Sequence, residues 1–85
     1  MGMLDKGIRH RRLDGTSLTL ENVENISITI ISGSIVLDNN DGRDGTVTVT
    51  ADELGSVDIG QSGSRPISYY DIDASSGVCI VWWYD

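Results

Sequence analysis

The chain has 85 residues and a formal net charge of −7, with thirteen acids against six lysines and arginines. That length allows one domain whose thin core buries only about 60% of the surface exposed by the unfolded chain. Domains this small commonly gain stability from disulfides, metals or self-association. With Cys79 the sole cysteine and His10 the sole histidine, an intrachain disulfide and a four-ligand zinc site are both excluded.

Residues 1–12 hold Lys6, Arg9, Arg11 and Arg12 against Asp5, a net of +3, while residues 13–85 carry twelve acids against Arg43 and Arg65, a net of −10. The composition predicts a flexible basic N-terminal arm over 1–12 and a single acidic domain over 13–85. In that arm Lys6, Arg9, Arg11 and Arg12 are candidate contacts to an acidic surface. The N-terminus lacks the apolar stretch of a secretory signal. The longest apolar run, 78–84, is far short of the roughly 20 residues of a spanning helix. With one cysteine, these features lead us to expect cytoplasmic assembly and no membrane partner.

From Leu13 onward the apolar period is two. Leu18 and Leu20 alternate with Thr19, and Ile26-Ser27-Ile28-Thr29-Ile30 places three isoleucines on one face and hydroxyls on the other. The alternation breaks at Ile30-Ile31, and Gly33 marks a turn or bulge before Ile35-Val36-Leu37. Residues 38–45 read as a loop. Asp38, Asn40, Asp41 and Asp44 there are oxygen donors suited to a hard cation, yet Gly42 stands where a fifth-position ligand belongs and Val49 where the twelfth-position Glu would be. A soluble turn is therefore the preferred reading, and no metal or other cofactor is expected. Thr46–Thr50 is a strand with valines inward, 51–54 one helical turn ending at Gly55, and Val57–Ile59 a short strand. Residues 67–73 and 78–84 form two strands that the four residues Ala74-Ser75-Ser76-Gly77 join as a hairpin.

These elements predict an all-β fold: a small antiparallel sandwich or barrel of about six or seven short strands after the arm. The alternative is a short β-solenoid, which lacks a fixed repeat and would have too few rungs.

All five aromatic residues, Tyr69, Tyr70, Trp82, Trp83 and Tyr84, lie in the last two predicted strands. The final strand is apolar on both faces, with Val78, Ile80, Trp82 and Tyr84 on one and Cys79, Val81 and Trp83 on the other. An ordinary half-exposed strand is polar on one face. The five aromatics are therefore candidate interface residues, Trp and Tyr being enriched where binding energy concentrates.

Catalysis is not expected. His10 sits among three arginines with nothing to orient it, and the carboxylates Asp71 and Asp73 on one strand face read as a solvated hairpin edge. The expected function is a structural assembly protein, homo-oligomeric or docked on a larger lattice, of the type of a capsid cement, decoration or head–tail component of a virion. Nucleic acid is not an expected partner of the acidic body and is a candidate for the arm alone. The alternatives are a small sugar- or peptide-binding module with an aromatic platform, and an acidic inhibitor that mimics nucleic acid.

Overall fold

The structure, a computed structural model, describes residues 7–39, 45–59 and 67–84. Five strands account for most of them: β1 (Ile8–Asp14), β2 (Ser17–Asp38), β3 (Val47–Thr50), β4 (Ser56–Ile59) and β5 (Ile67–Tyr84). All pairings among the described residues are antiparallel, so the fold is all-β and the solenoid alternative, which needs parallel rungs, does not apply.

Strands β2 and β5 have 22 and 18 residues. At ~3.4 Å per residue they would extend roughly 75 and 60 Å if straight, yet the longest dimension of the molecule is 41 Å. Both must bend, and the register shows where. Val23 pairs with Ile67 and the next residue, Glu24, pairs with Tyr84, which brings the two ends of β5 together. Its middle, Ala74–Gly77, is the corner. The expected hairpin between 67–73 and 78–84 therefore does not form. The two halves pair with different segments of β1 and β2 and are one bent strand.

Three neighbouring segments turn at this level, each with a glycine. Gly15 (φ 72°) donates its N–H to the carbonyls of Ala74 and Gly77 at 3.1 and 3.3 Å. Gly33 (φ 74°) lies opposite Gly77. A Cβ on Gly77 would stand 2.7–2.9 Å from backbone atoms of Ser32 and Ser34, and one on Gly33 would fall on the Ser76 carbonyl. Only glycine lets the two backbones approach so closely.

The sheet thus folds in half across a line of glycines. One layer contains β1, the second half of β5, the middle of β2 and β4. The other contains the start of β2, the first half of β5, the end of β2 and β3. β2 passes between layers at Asn22 (φ 56°) and Asn25 (φ 51°). Asn is the residue besides glycine that most readily takes this conformation. Each shifts the inward face by one position, so Leu20, Val23 and Ile26 are all buried despite their odd spacing.

Among the described residues one buried cluster lies inside, with no buried polar residue: Leu13, Leu20, Val23, Ile26, Ile28, Ile30, Ile35, Leu37, Ile72, Ala74, Cys79 and Val81. The isoleucine triplet faces inward as expected. In β3, Val49 packs on the core, but Val47, on the same face at the sheet edge, is exposed. The helical turn after β3 is present: Leu54 donates its N–H to the Thr50 carbonyl at 2.9 Å. The Thr50 hydroxyl accepts the Glu53 N–H at 3.3 Å and donates to the Glu53 carboxylate at 3.1 Å.

Two further expectations change. Residues 8–12, placed in a flexible arm by their charge, belong to β1 and pair along β5 from Ile8↔Tyr84 to Asp14↔Val78. The strands are also fewer and longer than expected, because bulges and glycine bends redirect β2 and β5 without ending their hydrogen bonding.

Candidate partner interface

Directly paired residues of antiparallel strands share a face, so the register assigns every aromatic. Cys79 and Val81 are buried, which points Trp83 inward with them; it packs on the core. Val78, Ile80, Trp82 and Tyr84 point outward. Across the corner the parity shifts by one. Ile72 and Ala74 are buried, Tyr70 packs on the core beside them, and Tyr69, Asp71 and Asp73 turn outward on the other layer. The five aromatics therefore do not share a surface. Tyr70 and Trp83 are core-facing, Tyr69 belongs to one layer's outside, and Trp82 and Tyr84 to the other's.

Around Trp82 and Tyr84 the register lays out rows across the strands. One row is Ile8, Tyr84 and Glu24; the next His10, Trp82, Ser27 and Asp58; the third Arg12, Ile80, Thr29 and Ser56. Trp82 is 40% exposed, Tyr84 38% and Ile8 70%. The His10 ring lies 4.9 Å from that of Trp82, tilted by 35°. At the row's other end the Ser27 hydroxyl donates to the Asp58 carboxylate at 2.8 Å. The centre of this face is apolar; His10, Arg12 and Asp14 lie along β1, Glu24 on β2 and Asp58 on β4.

Of the expected arm contacts, Arg12 lies on this outer face, 3.6 Å from Asp14. Arg9 and Arg11 alternate with it, on the face of Leu13, and are exposed at the sheet margin. Lys6 lies outside the described residues, as do Asn40, Asp41 and Asp44 of the candidate cation loop. Asp38 ends β2 opposite Asp71.

The other layer's outside is acidic, with Glu21, Asp38, Asp71 and Asp73. The Thr19 hydroxyl donates to Asp71 at 3.0 Å. Asp73 accepts the Ser75 N–H at 2.9 Å, and this bond holds its carboxyl below the usual range. Burial, with the nearby Asp38 charge second, pushes the Tyr70 phenol above its ordinary value of 10.0. Burial also raises the Cys79 thiol. It is fully enclosed, which keeps it protonated and out of reach of a second thiol.

Two recesses lined by described residues open on the surface. One of about 280 Å³ is lined by Ile8, Asn25, Trp82, Trp83 and Tyr84. It is almost wholly apolar and slightly smaller than the roughly 300–1,000 Å³ of small-ligand pockets. The other, about 480 Å³, lies at the Gly33 corner between Ser32, Ser34, Thr50 and Ser76, with Asp52 its ionisable residue among the described ones. Sequence reasoning found the aromatic strand but not its outward face, because the parity shift at 74–77 is set by pairing to Gly15 and Gly33. Comparison with protein-family models, with curated proteins and with solved structures finds no match to this chain.

Proposed function

We propose that this chain is a non-enzymatic assembly protein that docks on protein through the outer face of β1, β5, β2 and β4. A copy of itself or a larger lattice, such as a virion shell or tail, is the kind of surface it would join. The observation that carries the reading is the outward half of β5. Val78, Ile80, Trp82 and Tyr84 form an unbroken apolar row beside exposed Ile8, where a solvated sheet face would carry polar side chains. Trp82 and Tyr84 are rigid, amphipathic anchors whose truncation at an interface centre costs about 2 kcal/mol or more. The recess beside them is shallow and nearly without polar groups, which favours a protein surface over a sugar.

Gradient sedimentation of the tagged chain from cells that produce it tests this. The expected result is co-migration with particles much heavier than the 9.2 kDa chain, lost in Trp82→Ala and retained in Glu21→Ala on the opposite layer. Migration unaffected by Trp82→Ala would remove this face from the function.

A further inference from the structure

Strand β1 lies at the end of the sheet: among the described residues it pairs with β5 alone. Which of its backbone groups that pairing uses follows from the glycine corner. Gly15 donates its N–H toward β5, to the carbonyls of Ala74 and Gly77, so the other end of that peptide unit, the Asp14 carbonyl, points away from β5. Along an antiparallel strand these directions alternate from residue to residue. The N–H and C=O groups of Arg9, Arg11 and Leu13 therefore serve the ladder to β5, and those of Ile8, His10, Arg12 and Asp14 point off the sheet. Six of the seven residues of β1 are exposed, Leu13 being the exception.

The charge of this edge is as distinctive as its backbone. Three arginines against Asp14 give β1 a net of +2 in a chain of −7. Arg12 and Asp14 lie 3.6 Å apart, with both side chains more than half exposed, and offset each other. Arg9 and Arg11 stand on the opposite side of the strand, with the two-residue spacing that alternate residues of an added strand would match. A second β1 laid along this edge would crowd arginine against arginine, which blunts self-pairing.

We infer that the edge of β1 receives an extended acidic segment of a partner protein, which adds to the sheet as an antiparallel strand. Its backbone bonds to the outward groups of Ile8, His10, Arg12 and Asp14, and its carboxylates, at every second position, face Arg9 and Arg11. Edge addition of this kind takes affinity from main-chain bonds and selectivity from alternate side chains. Nucleic acid is the poorer occupant. It has no strand backbone to complete the ladder, and the net of −10 over residues 13–85 repels a long polyanion. The edge is also a separate surface from the docking face: it lies in the plane of the sheet, and the apolar row of β5 stands above that plane. Ordering the added segment offsets much of the gain, so the affinity for a short peptide is expected at roughly 10–500 µM.

NMR titration of the isotope-labelled full chain tests this, with a short capped peptide that alternates glutamate and threonine. The expected result is saturable amide shifts centred on Ile8, His10, Arg12 and Asp14, with slowed hydrogen exchange there. The counterpart with lysine for glutamate should leave the spectrum unchanged. In antiparallel register the threonines opposite His10 and Arg12 aim their N–H groups at β1, and the glutamates aim theirs away. N-methylation of the threonines should therefore abolish binding, and N-methylation of the glutamates should retain it to within about threefold. On the protein side, His10→Pro removes an outward N–H and spares the β5 ladder, as edge strands permit. It should keep the circular dichroism melt and weaken the peptide about tenfold or more. Arg11→Glu, which needs no tolerance of proline, should weaken it about five- to tenfold.

A glutamate peptide that shifts nothing up to about millimolar concentration overturns strand addition. So do shifts centred away from β1, or an equal response to the two N-methylated peptides, which would reduce the contact to charge alone. A duplex oligonucleotide that shifts the β1 amides where the peptide does not would also overturn it, and would make the edge a polyanion site.

Discussion

At the scale of single residues, the fold depends most on positions that have no side chain. Gly77 sits where β2 and β5 pass at their shared corner, and the atoms around its missing Cβ are all backbone: the Ser32 and Ser34 carbonyl oxygens and the Ser34 nitrogen. No rotamer change relieves such a clash, so the two strands would have to separate. Gly77→Ala is expected to cost about 2–4 kcal/mol, lowering Tm by roughly 10–25 °C for a domain of this size. Gly55→Ala, with nothing within 4 Å of the added carbon, is the control and should shift Tm by only a few degrees. Equal, small shifts in a thermal melt would mean that the corner is not closely packed. Nothing in the tetrapeptide Ala74-Ser75-Ser76-Gly77 distinguishes this role from that of a turn glycine. The hairpin reading fails for that reason: the difference lies in Gly33, forty-four positions earlier in the chain.

At the scale of elements, period-two patterning identified the interiors of strands well and their limits poorly. Ile26, Ile28 and Ile30 alternate cleanly and are buried together. The long strand containing them was not legible, because Asn22, Asn25 and Gly33 look like stops but act as bends that keep the ladder running. β1 was hidden for another reason. Ile-Arg-His-Arg-Arg-Leu-Asp has the composition of a solvated tail, and only pairing with β5 makes it a strand, an instance of tertiary context overriding local preference. Leu13 is the inward residue that betrays it. A chain lacking residues 1–12 would lose five of the seven β1–β5 pairs, from Ile8↔Tyr84 to Arg12↔Ile80, and uncover that edge of β5. For a domain with marginal stability, this truncation is expected to abolish the cooperative melt seen by circular dichroism. An unchanged melt would return these residues to the status of a tail.

At the scale of the whole molecule, the folded sheet has two outsides of different character. The β1-containing layer shows the apolar Ile8, Ile80, Trp82 and Tyr84, and the other shows Glu21, Asp38, Asp71 and Asp73. Aromatic content near the C-terminal strand was legible in the sequence, whereas the division of five aromatics among core, acidic face and apolar face was not. That division follows from the single-position parity shift at the glycine corner, which no local pattern reports. The docking claim therefore stands on the difference between two halves of one strand. Site-specific photo-crosslinking in producing cells reads that difference most directly, with a benzoylphenylalanine placed in turn at positions 80, 82 and 84 and at positions 69, 71 and 73. Protein adducts from 80, 82 and 84 with none from 69, 71 and 73 are the expected result. Adducts from the acidic layer alone, or from neither half of β5, would contradict it.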